Sequence, residues 1–120
     1  MTSITERAIG DVTILVIAGR LTVQEGAEPF RDTIRRLLRD GRVKLVINFQ
    51  DATYIDSTAL GEIIRAYTSA TRKGGSLKLL KVPKSIHQLL MITRLLTIFD
   101  LFDDEAQAAK SFGAARSSNP

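Results

Sequence analysis

The spacing of apolar residues along the chain predicts alternating strands and helices. Runs rich in β-branched and aliphatic residues predict three buried strands, at 12–18, 43–49 and 77–82. A shorter and more polar strand at 3–8 joins the first of these through a hairpin at Gly10-Asp11, and a small last strand is predicted around 97–99. Together these patterns predict a sheet of about five strands.

Apolar residues spaced three and four apart predict helices between the strands. The first helix begins near Ala27, because a proline such as Pro29 is favoured only in a first turn, and residues 22–26 form the loop before it. Gly41 ends that helix. The second helix follows a loop at 50–56 and ends at Gly74-Gly75, and its predicted inner face carries Leu60, Ile63, Ile64, Tyr67 and Thr71.

Two further helices complete the pattern. The third opens at Pro83 and Ser85 and continues through Thr93. The acids at 103–105 complement the positive end of a helix dipole and start a fourth helix, which is expected to end near Phe112. Small and polar residues follow, so residues 113–120 are predicted to be a flexible C-terminal tail.

This order of elements predicts an α/β fold, a mixed and mostly parallel β-sheet with about four α-helices packed against it. A helix between two buried strands is typical of a crossover between parallel strands. One domain at residues 1–112 contains all the predicted elements. The first strand is too polar for its pattern to decide whether helices cover one face of the sheet or both.

The composition excludes several classes of protein. The chain has 120 residues, of which 44% are hydrophobic and 25% charged, as in ordinary soluble domains with a single core. It has no cysteine, which excludes disulfides and thiolate metal sites. No secretory signal pattern is visible, and no apolar stretch approaches the ~20 residues of a membrane span, so we expect a cytoplasmic location.

The net charge of +4 comes from 17 Lys and Arg against 13 Asp and Glu, with arginines concentrated between Arg31 and Arg42. Such a patch occurs in proteins that bind nucleic acids or lipids. The spacing favours a solvated helix face instead, because Arg36 lies four residues from both Asp32 and Asp40 and can pair with either. No aromatic residue interleaves with these arginines, so direct nucleic-acid binding is not expected.

The stretch with the most chemical information is Tyr54-Ile-Asp-Ser-Thr-Ala-Leu-Gly61, where a loop passes into the second helix. Asp56, Ser57 and Thr58 are typical capping residues, and a well-capped helix is one sufficient explanation of them. The other explanation is that a hydroxyl at a helix N-terminus carries a phosphate, because free N–H groups and the helix dipole stabilise an anion there. A phosphate beside Asp56 adds ~1.5 to 2 negative charges and repels a partner without unfolding the domain.

That stretch resembles the Asp-Ser-Ser/Thr-Gly-Leu-Gly signature of STAS-domain proteins that act as anti-sigma factor antagonists. The similarity covers nearly the whole chain, since it extends to Gly19-Arg-Leu21, to Gly74-Gly75 before Leu77-Lys-Leu-Leu80, and to Leu95-Leu-Thr-Ile-Phe-Asp100. The resemblance implies the STAS fold and a binding module that is not an enzyme and needs no cofactor. It also implies that the unphosphorylated protein binds a histidine-kinase-like serine kinase, the anti-sigma factor, and so frees a sigma factor for transcription.

Carried over residue by residue, the resemblance makes Ser57 the phosphoacceptor. The anti-sigma factor phosphorylates it, which ends the interaction, and a serine phosphatase restores it. The residues predicted to contact the partner are Thr22, Tyr54, Ile55, Asp56, Thr58 and Ala59. Three departures from the family pattern stand out: Thr22 replaces a frequent aspartate, Ala59 replaces a glycine and adds a methyl group that could crowd the partner, and the net charge is positive.

Other candidate sites have less support. His87 is the single histidine and no pattern brings it near Ser57, so neither a catalytic triad nor a metal site is predicted. Gly74-Gly75 is a turn without a phosphate-binding motif. For Met91, Ile92, Leu95 and Leu96 the spacing predicts core packing, and an apolar patch for a partner is the alternative. The alternative function is a STAS scaffold or regulatory subunit of a lipid-transport or signalling complex without a phosphoswitch.

Overall fold

A five-stranded sheet runs through the molecule, with the strands side by side in the order in which they occur in the chain. The computed structural model describes the backbone of residues 1–117 and the side chains of residues 1–112. Its strands are β1 Thr2–Ile9, β2 Val12–Leu21, β3 Lys44–Ile55, β4 Ser76–Leu80 and β5 Leu101–Phe102, and its helices are α1 Ala27–Arg39, α2 Ser57–Arg72, α3 Lys84–Ile92 and α4 Glu105–Ser117. Only β1 runs antiparallel to its neighbour. The predicted mixed, mostly parallel α/β fold is confirmed.

Apolar side chains on the two faces of the sheet form two separate cores. The larger core lies under α1, α2 and α3, where Phe30 and Ile63 pack against strand residues such as Ile47. The smaller core lies under α4, where Phe112 packs with Ile14 and its neighbours. Alternate residues of one strand pack into the two cores, since side chains along a strand point to opposite faces of the sheet. Helices therefore cover both faces, which the sequence pattern left open.

Helix α1 begins where the sequence predicted, and Pro29 lies in its first turn. Its buried residues recur at helical spacing, and they are Ala27, Phe30, Ile34, Leu37 and Leu38. The ion pairs predicted within α1 were wrong: Arg36 contacts Glu6 of β1 instead of Asp32 or Asp40. The reason is that the β1–β2 hairpin brings Glu6 to the side of the sheet that α1 covers, and this contact ties the helix to the first strand.

Strand β3 is longer than predicted, because it continues to Ile55 through residues that were predicted to be a loop. Over this stretch it pairs with β2 but no longer with β4, which ends opposite Asn48. The second half of β3 therefore lies at an edge, and only Ala52 and Ile55 are buried there. An edge strand lacks the continuous apolar run that identifies a central one. The extension carries the chain directly into α2.

The end of the chain also departs from the prediction. Strand β5 is Leu101–Phe102, not 97–99, because Phe99 is buried in the larger core with its ring against Tyr67, 5.2 Å between centroids. Thr71, predicted on the inner face of α2, is exposed. Helix α4 continues to Ser117, past its predicted end. Residues 118–120 of the predicted tail lie outside the described residues, and its flexibility stays a prediction.

Candidate functional site

The N-terminus of α2 lies beside the C-terminal ends of the parallel strands β2 and β3. Leu21 of β2 is paired with Ile55 of β3, so the loop after β2 emerges beside the start of α2. Asp56 is the N-cap of α2 in an extended conformation, and Ser57 is the first helical residue. Parallel sheets commonly place their binding residues at these strand ends. The predicted site residues from the two strands are thereby brought to one surface.

The Asp56 carboxylate joins the two segments of this surface. Its Oδ1 accepts a hydrogen bond from the backbone N–H of Ala59 at 2.9 Å, and its Oδ2 accepts one from the backbone N–H of Val23 at 2.9 Å. These two bonds, that of Ala59 first, lower the pKa of Asp56 below its ordinary value. The carboxylate is therefore ionised at neutral pH and fixes the loop after β2 against α2.

Burial divides the predicted contact residues into two groups. Tyr54 and Thr58 are exposed, like Ser57, and Asp56 is half-buried. Ile55 and Ala59 are buried, with 5% and 0% of their surface exposed. These two support the surface from beneath and do not offer a side chain to a partner. Since the methyl group of Ala59 faces the core, the crowding expected from the replacement of a glycine there does not arise.

The loop after β2 presents Val23 to solvent, not Thr22. The Thr22 hydroxyl accepts a hydrogen bond from the backbone N–H of Glu25 at 3.1 Å. This bond closes a turn with the Thr22 side chain inside, and only 5% of that residue is exposed. Val23 is 62% exposed and stands beside α2 through its bond to Asp56. The sequence analysis missed Val23, because an isolated apolar residue in a loop carries no local signal.

Arg20 is a second residue of this surface that the sequence analysis did not single out. It faces Tyr54 across the β2–β3 pair, and its guanidinium carbon lies 5.1 Å from the centroid of the Tyr54 ring. Its Nε is 3.7 Å from Glu25. An exposed cation–π pair contributes about 0.5–1 kcal/mol. The pair therefore restrains the Tyr54 ring at the rim of the surface, next to the start of α2.

The Ser57 hydroxyl is accessible and forms no hydrogen bond with any other residue among those described. It is the first side chain of α2, where N–H groups of the first turn have no partner inside the helix. Among the described residues, no group of three His, Asp or Glu is placed to hold a metal ion. In the same part of the chain, no helix has both the length and the apolar character needed to cross a bilayer. The arrangement leaves an exposed hydroxyl at the first position of α2.

The four apolar residues predicted to pack in the core differ in burial. Leu95 and Leu96 are half-buried against the larger core. Met91 and Ile92, at the end of α3, are 56% and 80% exposed. Their spacing in the helix predicted core packing, but Ile86 and Leu90 occupy the buried side of α3. Core packing was therefore wrong for Met91 and Ile92.

Comparison with known proteins assigns the family. The family model described as STAS domain matches residues 3–108. An anti-sigma-B factor antagonist of Bacillus subtilis (strain 168) is 33% identical over 100 residues, which cover 83% of this chain and 84% of that protein. The chain belongs to the STAS-domain family of anti-sigma factor antagonists. An anti-sigma F factor antagonist of Paenibacillus polymyxa is 30% identical to this STAS protein over 64 residues. These residues cover 53% of this chain and 55%, about half, of that protein.

Solved structures share the STAS fold. The crystal structure of the Thermotoga maritima protein TM1081 is 24% identical, covers 92% of this chain and 94% of its own, and has a TM-score of 0.86. SpoIIAA of Bacillus is solved in an unphosphorylated and a phosphorylated form, at TM-scores of 0.72 and 0.75. The two forms are 14% and 15% identical and cover 98% and 91% of this chain, and 100% and 98% of their own. At these identities the likeness establishes the fold, and the STAS fold predicted from the sequence is confirmed.

Proposed function

We propose that this STAS protein binds an anti-sigma factor through the surface at the start of α2, and that phosphorylation of Ser57 ends the binding. The observation that carries the proposal is the exposed Ser57 hydroxyl at the first position of α2, directly after the Asp56 carboxylate. The relatives named as antagonists of anti-sigma factors support the choice of partner. The phosphorylated form of SpoIIAA supports the choice of modification.

The electrostatics of the site explain how one phosphate switches an interface. Asp56 already contributes one negative charge, since its pKa is lowered. A phosphate on Ser57 adds about 1.5 to 2 more at a neighbouring residue. The first-turn N–H groups of α2 that do not bond to Asp56, together with the helix dipole, stabilise this charge, so the domain stays folded. A partner that docks over one carboxylate in the unmodified protein then meets about three negative charges. Burying these charges costs desolvation energy, and they repel any negative charge on the partner, so binding is weakened.

The identity of the partners is taken from the family resemblance. The kinase is the anti-sigma factor itself, a histidine-kinase-like serine kinase that docks on the unmodified surface and phosphorylates it. Binding frees a sigma factor for transcription in the cytoplasm, and phosphorylation reverses this effect. A separate serine phosphatase regenerates the binding form. Tyr54, Thr58 and Val23 are the exposed side chains that the partner touches around Ser57.

The test combines intact-mass spectrometry with binding measurements. The protein is incubated with a histidine-kinase-like anti-sigma factor and Mg-ATP, and we expect a mass gain of one phosphate that Ser57→Ala abolishes and Thr58→Ala retains. Ser57→Ala should bind the kinase like the wild type, while Ser57→Asp should bind it more weakly. Ser85→Asp is the matched control, because Ser85 is also exposed in the first turn of a helix. A phosphate gain that persists in Ser57→Ala refutes the proposal.

A further inference from the structure

A cleft of about 150 Å³ lies between the outer sides of α1 and α2. Three arginines line it, Arg31 and Arg35 from α1 and Arg65 from α2. Its apolar part is formed by buried residues that include Ile34 and Ala66. The cleft therefore combines a small apolar floor with a concentration of positive charge, outside the surface formed by Ser57 and its neighbours.

A buried carboxylate holds two of the three arginines in place. Glu62 is 6% exposed, and its Oε2 accepts hydrogen bonds from Nη1 of Arg31 at 3.2 Å and from Nη1 of Arg65 at 3.1 Å. Glu28, on the outside of α1, lies 3.6 Å from Arg31. Arg35 forms no ion pair with any residue in the described part of the chain. Three guanidinium groups thus face two carboxylates, and the cleft keeps a surplus of positive charge.

An open strip of α2 connects this cleft to Ser57. Ser57, Gly61 and Arg65 are spaced four residues apart and lie along one side of the helix, over about 12 Å at 1.5 Å per residue. A Cβ at Gly61 would come within 4 Å of a single neighbouring group among the described residues, Nη1 of Arg65 at 3.9 Å. Since Gly61 has no side chain, a partner segment that passes over it from Ser57 comes into contact with the Arg65 guanidinium.

We infer that the cleft binds a carboxylate side chain from an acidic segment of the partner protein. This segment crosses Gly61 between the cleft and Ser57. The surplus charge selects an anion, and the planar guanidinium groups of Arg35 and Arg65 match the geometry of a carboxylate. The apolar floor accommodates the methylene stem of a glutamate. Assignment of the segment to the anti-sigma factor rests on the proposed function, whereas the affinity of the cleft for a carboxylate does not.

The test uses tetraglutamate as the probe, with tetraglutamine as the uncharged peptide of equal length. In a titration followed by NMR, we expect tetraglutamate to shift the Nε–Hε signals of Arg35 and Arg65 and the backbone signal of Ala66, and tetraglutamine to leave them unchanged. The variant Arg35→Gln with Arg65→Gln should raise the Kd for tetraglutamate by about fivefold, which is the upper end of the effect of losing one exposed ion pair.

The control variant is Lys73→Gln with Lys110→Gln, which removes the same charge at exposed positions outside the cleft and should change the Kd by less than about twofold. Arg35→Gln alone serves if the double variant is unstable, because Arg35 has no ion pair among the described residues to lose. Absence of local shifts, or equal weakening in both double variants, overturns the inference. A cleft that binds tetraglutamate while no kinase modifies Ser57 would instead count against the proposed function alone.

Discussion

Replacing Asp56 by alanine should destabilise the domain and release the loop after β2 from α2. The substitution removes two hydrogen bonds at once, to the N–H groups of Ala59 and Val23. Loss of an N-cap costs about 1 kcal/mol. Loss of a second hydrogen bond to a charged acceptor at a half-buried position costs about 1 kcal/mol more. We therefore expect the free energy of unfolding to fall by about 2 kcal/mol at pH 7.

Urea unfolding followed by circular dichroism measures this change. With a slope of about 2 kcal/mol/M, the midpoint should fall by about 1 M while the slope stays unchanged. Hydrogen exchange at the Val23 amide should accelerate more than exchange in the central strands, because its acceptor is removed. Asp56→Asn is the matched control, since it keeps a carbonyl oxygen for the cap but loses the charge, and it should lie between the wild type and Asp56→Ala.

The pH dependence of the same comparison has a definite sign. Hydrogen bonding lowers the pKa of Asp56 in the folded protein, so its stabilisation is complete above the unfolded-state value of about 3.9 and is lost as the pH falls through the lower folded-state pKa. The difference between wild type and Asp56→Ala should therefore shrink below about pH 4. A difference below about 0.5 kcal/mol at pH 7, or one that persists unchanged at the lowest pH, would refute this account of the bridge.

Substitutions at three further positions test the packing of the sheet and helices that support the site. Gly19→Ala should cost about 1–3 kcal/mol in thermal unfolding, because Gly19 has φ +85° and a Cβ there would lie 2.0 Å from the carbonyl oxygen of Met1; an unchanged Tm contradicts this. Phe30→Ala should cost about 3–5 kcal/mol in urea unfolding, since Phe30 is fully buried, and a loss below about 1 kcal/mol would show that the core refills. Lys78→Ala should cost about 1–2 kcal/mol, because Lys78 is buried and its Nζ lies 3.2 Å from Oδ2 of Asp100 and 4.9 Å from the Phe112 ring centroid. Lys78→Met should recover the part of that loss due to the buried methylene groups of the lysine. A Lys78→Ala protein as stable as the wild type would contradict a stabilising role of Lys78.

The central part of the fold was predictable because its residues report their environment directly. The runs that became β2, the first half of β3 and β4 are buried on both faces, and α1 repeats its buried residues at helical spacing. The prediction failed where one element changed neighbours. Residues 50–55 of β3 no longer pair with β4, and most of them are polar. Phe99 was assigned to a strand because it is apolar, but its side chain packs in the larger core outside any strand.

The candidate site was predictable where its signal is local. Asp56, Ser57 and Thr58 are adjacent in sequence, so their capping pattern and the family resemblance could be identified together. The roles of Val23 and Arg20 depend on contacts with β3 and α2 that no short pattern encodes, since the bond from Val23 to Asp56 spans 33 residues. Burial of Thr22 likewise follows from a turn closed by Glu25.

The order of the strands has a consequence for how the molecule is made. Each strand lies beside the one translated immediately before it, so a strand can pair as soon as it emerges, without waiting for any later part of the chain. We expect a nascent chain to add its strands one at a time as they leave the ribosome, starting from the N-terminus. The region around Ser57 then takes shape once α2 has emerged, while the far edge of the sheet is still being translated.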